Sequence, residues 1–220
     1  MTALHDVIIL GGGLAGLSLA LQLKQRFSDI DILVLERRDH PVPEAAHKVG
    51  ESTVEIGAHY FGTELGLKEH LRNRQLKKFG FRFFFSEGRR DIDQVTEVGA
   101  SRFLTTPAYQ LDRGIFENFL GEEAAQRGIR FLDQATVREV QLGANGEAHR
   151  VTWLHAGTPH AAQARWVVDA SGRAGILKRK LDLAVPNNHD VNAIWFRIRE
   201  HIKMDDWFDN PQWQQRCNPQ

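Results

Sequence analysis

The sequence predicts an α/β fold with a parallel sheet, and three observations support this prediction. An apolar run at residues 7–10 leads directly into a glycine-rich turn, and a helical apolar pattern follows. A second apolar run occupies residues 30–35. A third, at residues 165–168, ends in another turn that contains glycine. Strands that alternate with helices form parallel sheets, because a helix returns the chain to the edge where the next strand starts.

The first glycine-rich turn has the spacing of a dinucleotide-binding fingerprint. Gly11 permits the tight turn that leaves the first strand, Gly13 lets the backbone approach a pyrophosphate, and Gly16 lets the helix lie close to the sheet. The amides of the first helical turn, which includes Leu14 and Ala15, and the positive end of the helix dipole favour phosphate charge. We therefore predict a nucleotide-binding site; the alternative is a turn that binds nothing.

Glu36 stands at the end of the second predicted strand, where a carboxylate can accept hydrogen bonds from a ribose diol. We place Glu36 and its neighbour Arg37 in the predicted cofactor site. The charged segment 37–53, which contains prolines and glycine, is predicted to be a long loop.

The first helix is predicted over residues 17–26, with a sheet-facing side formed by Leu17, Ala20, Leu21 and Leu23. Helical segments over 53–72, broken near Gly62 or Gly66, follow. Residues 79–85 are rich in phenylalanine and residues 101–105 are compatible with a strand, so 79–106 is predicted to form an antiparallel piece. We expect its phenylalanines to lie in a core rather than in a substrate pocket.

In the second half, Asp112 is predicted to cap a helix over 113–126 that ends at Gly128. A short strand at 129–132 and a hairpin of segments 135–142 and 149–156 follow. A buried strand at 165–168 then leads into a helix that contains Leu177 and Leu181. A last strand is predicted at 192–199, and no closing strand or helix is expected after it.

Composition excludes several classes of function. The chain has 220 residues, 42% of them hydrophobic, and a formal net charge of zero, so nothing favours nucleic acid or an anionic membrane as a partner. No stretch is apolar and long enough to predict a membrane span. Cys217 is the only cysteine, and the histidines lack metal-ligand spacing, so we predict a cytoplasmic protein without disulfides or a metal site.

Four motifs in this order resemble the FAD-dependent monooxygenase superfamily, and in particular its flavin-dependent tryptophan halogenases and halogenase-like relatives. The motifs are the glycine triplet with Glu36, Val49-Gly50-Glu51-Ser52-Thr53, Tyr109-Gln110-Leu111-Asp112-Arg113, and Val167-Val168-Asp169-Ala170-Ser171-Gly172-Arg173. The resemblance implies FAD as cofactor. It also implies a Rossmann-type, glutathione reductase-like FAD-binding domain with an inserted antiparallel β layer on the substrate side.

The resemblance also implies roles for single residues. The glycine triplet would hold the FAD pyrophosphate, and Glu36 would hold the adenosine ribose. Arg113 matches an arginine near the FAD phosphates and ribityl chain, and Asp169 and Gly172 match a second fingerprint on the flavin side. The alternatives are a solvated residue at a helix start for Arg113 and an ordinary turn for Asp169 and Gly172.

The segment from Val49 to Thr53 resembles the family loop that runs beside the isoalloxazine ring. Gly50 permits close approach of the backbone to a flat ring, and Glu51, Ser52 and Thr53 offer polar contacts. The family usually has a proline shortly after this threonine, whereas this chain has Glu55, so the geometry of the loop is the part of the resemblance that is in question.

Lys78 is the predicted catalytic residue. The run from Lys78 to Phe83 resembles the halogenase segment whose lysine faces the flavin across a tunnel and handles hypohalous acid. An ammonium can donate hydrogen bonds to an oxidant and polarise it, which suits this chemistry. The alternative is a solvated lysine at a strand edge.

Together these motifs predict a halogenase-like, FAD-dependent oxidoreductase that uses reduced FAD and oxygen on an organic small molecule, with aromatic compounds among the candidate substrates. A second dinucleotide fingerprint is missing from the sequence, so a separate flavin reductase is the expected source of reduced flavin. The alternatives are an FAD-dependent prenyl or alkene reductase resembling geranylgeranyl reductases, and a flavin-binding fragment without activity of its own. The expected organisation is an FAD-binding core at 1–75 and 107–188, the insertion at 76–106, and the start of an incomplete substrate domain at 189–220.

Overall fold

The computed structural model describes residues 3–45, 48–100, 102–196 and 198–217. The strands in these residues are β1 Leu4–Leu10, β2 Ile32–Leu35, β3 Leu76–Lys78, β4 Arg82–Phe85, β5 Thr96–Gly99, β6 Ala108–Gln110, β7 Arg130–Leu132, β8 Ala135–Gln141, β9 His149–His155 and β10 Thr158–Asp169. The helices are α1 Leu14–Arg26, α2 Glu55–His59, α3 Lys68–Arg74, α4 Arg113–Gln126, α5 Ile176–Lys180 and α6 Pro211–Cys217. A π-helical turn, Tyr60–Glu64, continues α2, and the predicted break before α3 contains Gly66 at φ +77°.

The main sheet has the strand order β7-β2-β1-β10-β9-β8. Strands β7, β2 and β1 and the second half of β10 are parallel, whereas the first half of β10 pairs antiparallel with β9, which pairs antiparallel with β8. The predicted α/β fold with a Rossmann-type parallel core is therefore confirmed. The predicted hairpin of segments 135–142 and 149–156 extends the same sheet.

Both faces of the central strands β1 and β2 are buried over residues 7–10 and 32–35, which explains why these sequences are continuous apolar runs rather than alternating ones. Val7 and Ile9 of β1 pack with the helices, together with Leu17 of α1 and Phe116 of α4. The intervening residues of β1 pack on the opposite face in a second cluster that includes Val151 and Trp153 of β9. The antiparallel strands thus cover the face of the sheet that the helices leave open.

The insertion is antiparallel as predicted, but its second strand lies elsewhere. Strand β4 pairs with β5 at residues 96–99, with Phe83 opposite Val98. The predicted partner at 101–105 is wrong, since residues 102–105 form no strand and Ser101 lies outside the described residues. The apolar contact between the facing residues Phe83 and Val98 stabilises the pairing of β4 with β5.

The prediction of a phenylalanine core in this region is also wrong for three residues. Phe81, Phe83 and Phe85 are 57%, 57% and 59% exposed. Alternation along β4 turns Phe83 and Phe85 to one side and directs Arg82 to the other, where it pairs with Glu97; Phe81 directly precedes the strand. The insertion therefore carries an exposed phenylalanine face.

Three predictions for the last third of the chain need correction. The segment 165–168 belongs to the long strand β10, but it is not buried throughout, because Trp166 is 70% exposed. Helix α5 contains Leu177 but ends before Leu181. No strand forms in residues 192–196 and 198–199, and Arg197 lies outside the described residues.

The chain does form a late helix, α6, contrary to the expectation. The amide of Trp213 donates to the side chain of Asn210, 3.2 Å away, and Pro211 is the first helical residue. Asparagine before proline is a favourable helix start, so the signal was present in the sequence. The side chain of Trp213 is fully buried, and the carbonyl of Arg216 accepts a hydrogen bond from Arg82 in the insertion.

Within the described ranges, no helix combines the length and the apolar character that crossing a membrane requires.

Candidate functional site

The glycine turn is built so tightly that two of its glycines cannot carry a side chain. A Cβ on Gly16 would lie 1.9 Å from the carbonyl oxygen of Gly11 and 3.2 Å from Ile9. Gly11 has φ +113°, and a Cβ there would lie 2.4 Å from the carbonyl oxygen of Ala170. These contacts agree with the predicted roles of Gly11 in the turn and of Gly16 in close packing of α1 on the sheet.

Gly13 precedes α1 and leaves space at the start of the helix. A Cβ on Gly13 would meet no described atom nearer than Oε1 of Glu117, at 3.9 Å. No side chain caps the helix at this position, Leu14 is half-buried and Ala15 is exposed. The first amides of α1 and its dipole can therefore meet an approaching phosphate group.

The predicted ribose acceptor lies directly beside this turn. Glu36 accepts hydrogen bonds from the amide of Gly12 at 2.7 Å and from the amide of Arg38 at 2.9 Å, one on each carboxylate oxygen. The carboxylate is half-buried and Arg37 beside it is exposed. Because each carboxylate oxygen has two lone pairs, Glu36 retains acceptor capacity for hydroxyl groups.

Segment 50–53 is fixed against β6. The carbonyl of Glu51, a buried residue, accepts a hydrogen bond from Leu111 at 2.6 Å, and Ser52 forms an antiparallel bridge with Gln110. The hydroxyl of Thr53 accepts from the amide of Tyr109 at 2.7 Å and donates to its carbonyl at 2.9 Å. Gly50 has φ +86°, a backbone conformation that favours glycine.

Lys78 lies against this same segment. Its ammonium donates a hydrogen bond to the hydroxyl of Ser52 at 2.8 Å and another to the carbonyl of Thr53, and it lies 4.4 Å from the ring centre of Phe81. The contact arises because β3 pairs with β6, and β6 also binds segment 50–53. Lys78 is half-buried, so it is not the fully solvated lysine of the alternative prediction.

Helix α4 begins as predicted and carries Arg113 in its first turn. Asp112 caps the helix by accepting hydrogen bonds from the amides of Gly114 and Ile115 at 2.9 and 3.1 Å. Arg113 donates to the carbonyl of Val49 at 3.0 Å and forms an ion pair with Glu117. Arg113 is therefore anchored to the loop before segment 50–53, not solvated.

Sequence reasoning missed Glu117 and Lys48. Glu117 is buried and binds both Arg113 and Lys48, one with each carboxylate oxygen. The spacing between Arg113 and Glu117 on one helix is an ion-pair signal that could have been noticed. Nothing local in the sequence connects Lys48 with Glu117.

The second predicted fingerprint forms a structured turn after β10. The pKa of Asp169 lies below its usual value. Burial alone would raise this pKa, but the carboxylate accepts hydrogen bonds that outweigh the effect of burial. The donors are the hydroxyl and amide of Ser171 and the amides of Leu177 and Lys178. Gly172 has φ +61°, and a Cβ there would meet no described atom within 4 Å. Asp169 thus orders the turn, and Gly172 leaves room for another molecule.

The residues present fit a bound dinucleotide. The turn after β1 contacts the residue that follows β2 and the turn after β10, since the amide of Gly12 donates to Glu36 at 2.7 Å and Gly11 lies against Ala170. One edge of the sheet therefore offers what a dinucleotide needs. There is open space at Gly13 and Gly172, the first amides of α1 can donate hydrogen bonds, and the carboxylate of Glu36 can accept them. The described residues contain no cluster of three or more side chains suited to a metal ion.

Known proteins are similar to this chain in sequence. Residues 5–217 match the family model of the FAD binding domain. A flavin-dependent halogenase of Dictyostelium discoideum is 28% identical over 89% of the chain and 36% of the relative. A 1H-pyrrole-2-carbonyl-[peptidyl-carrier protein] chlorinase of Pseudomonas fluorescens is 26% identical over 94% of the chain and 46% of the relative.

Solved structures agree with the sequence relatives. The flavin-dependent halogenase CmlS superposes with a TM-score of 0.66 and 26% identity over 83% of this chain and 32% of that one. A flavoprotein/dehydrogenase of Cytophaga hutchinsonii, with a TM-score of 0.69 and 23% identity over 84% and 44%, shares the fold. The chain spans less than half the length of the curated relatives it matches. It belongs to the FAD binding domain family, with FAD as its cofactor and flavin-dependent halogenases among its relatives.

Proposed function

We propose that the chain provides the FAD-binding region of a halogenase-like monooxygenase that uses reduced FAD and oxygen on an organic substrate. The position of Lys78 is the observation that supports this most. Its ammonium is hydrogen-bonded to Ser52 and Thr53, in the segment that the halogenase resemblance sets beside the isoalloxazine ring. In this proposal the FAD-binding core comprises residues 1–75 and 107–188, the substrate-side insertion 76–106, and the start of a substrate domain 189–220.

Bound reduced FAD, together with oxygen, would supply the redox chemistry: the flavin and the halide each give up two electrons, and oxygen ends in one water and one hypohalous acid. The glycine turn and the start of α1 hold the phosphates, and Glu36 holds the ribose. Lys78 donates a hydrogen bond to the oxygen of hypohalous acid and so polarises its oxygen–halogen bond. The halogen passes to a carbon of the substrate, and the hydroxyl leaves as water with the proton that this carbon loses.

An aromatic small molecule suits the surroundings of Lys78. The rings of Phe81 and Phe83 lie 6.1 Å apart on the exposed phenylalanine face, and the ammonium of Lys78 lies over Phe81. Aromatic side chains pack well against planar rings, and the P. fluorescens relative is named for a pyrrole substrate. The proposal includes a separate flavin reductase and a cytoplasmic location.

The proposal is tested in two steps. Purified protein is first incubated with FAD, and bound flavin is measured by absorbance; about one FAD per chain is expected. The FAD-loaded protein is then supplied with a source of reduced flavin, oxygen, halide and candidate aromatic compounds. Halogenated product, lost when halide is omitted, supports the proposal. Halide-independent reduction of an alkene without oxygen would instead favour the reductase alternative, and bound FAD without turnover would favour a binding module.

A further inference from the structure

The side chain of Gln75 links the end of α3 to the start of α4. Gln75 is buried, and it directly precedes β3, the strand that carries Lys78. Its side-chain oxygen accepts a hydrogen bond from the amide of Asp112 at 2.7 Å. Its side-chain nitrogen lies 3.2 Å from Nε2 of His70. The oxygen and the nitrogen of this buried amide group thus each have a partner.

These partners fix the orientation of the amide group. A backbone amide can only donate, so the oxygen of Gln75 must face Asp112 and its NH2 group must face His70. The imidazole of His70 then accepts through Nε2. Burial, and after it the charge of Arg74, lowers the pKa of His70 to about 4, so the ring is neutral at neutral pH and can accept. Gln75 is therefore held in one orientation between α3 and α4.

The strand pairing that places Lys78 is short. Strand β3 has three residues, and its first pair with β6 is Leu76 opposite Gln110. Successive strand residues point to opposite faces, so a slip by one residue would turn Lys77 towards segment 50–53 and Lys78 away from it. Because both neighbours are lysines, the type of side chain does not oppose such a slip.

The hydrogen bond between Asp112 and Gln75 continues this pairing beyond the ends of both strands. Extended by one step, the observed register sets Gln75 opposite Leu111, and Asp112 is the next residue. A slip by one residue would move Gln75 by about 3.4 Å along β6. That displacement is enough to break the hydrogen bond to the amide of Asp112, so this bond favours the observed register.

We propose that Gln75 is a positioning residue that fixes the register of β3 on β6, and so selects Lys78 rather than Lys77 to contact segment 50–53. The inference rests on the proposed function, in which Lys78 is the residue that acts on hypohalous acid. The competing explanation is that the contacts of Lys78 with segment 50–53 set the register by themselves, and that Gln75 only packs the end of α3.

Acetylation rates of Lys77 and Lys78, measured by tandem mass spectrometry, separate these explanations. In the wild type we expect Lys77 to react faster, because it is exposed, whereas Lys78 is half-buried and hydrogen-bonded. Gln75→Met keeps the length of the side chain but removes the oxygen acceptor. We expect it to raise the ratio of the Lys78 rate to the Lys77 rate about fivefold, the effect of losing one hydrogen bond. Gln75→Glu retains an oxygen acceptor for the amide of Asp112 and should keep the wild-type ratio.

Gln22→Met is the matched control. The half-buried side chain of Gln22 also accepts a hydrogen bond, from the hydroxyl of Tyr60 at 3.0 Å, but it lies on α1. We expect this variant to leave the acetylation ratio unchanged. Thermal unfolding checks that each variant is folded; if Gln75→Met is not, Gln75→Asn, whose side chain is one methylene shorter, replaces it.

A wild-type acetylation ratio in the folded variant without the acceptor would overturn the role of Gln75. An equal rise in Gln75→Glu would overturn it as well, because that variant keeps the acceptor. In Gln75→Met, halogenation should fall about fivefold while FAD affinity changes less than about twofold, since the hydrogen bonds of Gln75 go to His70 and Asp112 and not to the glycine turn. A wild-type protein that forms no halogenated product would overturn the proposed function, whereas the acetylation ratio still decides whether Gln75 selects Lys78.

Discussion

The ammonium of Lys78 lies 2.8 Å from the hydroxyl of Ser52, although the two residues come from different elements. Strand β6 joins them, because β3 and segment 50–53 both bind to it. If segment 50–53 flanks the flavin ring, Lys78 is held close to the flavin by two hydrogen bonds.

Replacing Lys78 by alanine should abolish halogenation but preserve FAD binding, because the ammonium contacts segment 50–53 and not the glycine turn. Lys77→Ala is the control, since Lys77 is exposed and lies over the ring of Phe103. Product formation and bound flavin are measured on the same samples. Retained halogenation in Lys78→Ala would remove the proposed role of this lysine.

Gly16→Ala should prevent FAD binding and destabilise the fold. Its Cβ would lie 1.9 Å from a backbone oxygen, so α1 must move away from the sheet, which costs about 1–3 kcal/mol or more. Gly57→Ala is the matched control, because a Cβ on Gly57 in α2 would lie 4.0 Å from its nearest neighbour, Thr53. Urea unfolding should show a lower free energy of unfolding for Gly16→Ala than for the wild type, and an unchanged one for Gly57→Ala.

Glu36→Ala should weaken FAD binding by about tenfold or more, the effect of losing hydrogen bonds to a charged acceptor. The variant also loses the acceptor for the amides of Gly12 and Arg38, so the turn itself becomes less ordered. Glu139→Ala on β8, where the side chain is exposed and contacts Gln141, serves as the control. Isothermal titration with FAD measures the change; equal affinity in the two variants would argue against a ribose contact.

Stability should decrease in mild acid because of His70. Burial lowers the pKa of His70 to about 4, and the ring stacks on Phe119 with centroids 3.9 Å apart. Below the ordinary histidine pKa of about 6.5, the unfolded chain binds a proton that the folded chain does not. The contribution of neutral His70 to the free energy of unfolding is therefore fully present above pH 6.5, and up to about 3 kcal/mol of it is lost between pH 6.5 and 4.

The His70→Phe variant tests this linkage, since it keeps an aromatic ring but cannot titrate. Its urea midpoint should fall less steeply from pH 7 to pH 4.5 than that of the wild type. Replacement of the exposed His201 by glutamine is the matched control. If the urea midpoints of the wild type and His70→Phe fall equally with pH, His70 is not the group responsible for the loss of stability in acid.

Local sequence was sufficient wherever short-range physics decides the structure. The glycine spacing predicted a turn whose crowding at Gly11 and Gly16 is now visible in atomic contacts. Asp112 predicted the start of α4, because a cap acts on amides only two and three residues away. The faces of α1 followed from helical periodicity, with Leu17 and Leu21 fully buried.

Pairing between distant segments could not be predicted in this way. The phenylalanines of β4 were expected in a core, yet strand alternation and the packing of Arg82 with Glu97 left Phe83 and Phe85 exposed. The ion pair of Lys48 with Glu117 joins residues that share no local pattern. The sequence by itself determined the glycine turn after β1 and the α/β core, because their signals lie within one turn or one strand. Only the tertiary structure decided what surrounds Lys78 and Glu117, because those contacts depend on which strands pair and on which face of α4 turns inward.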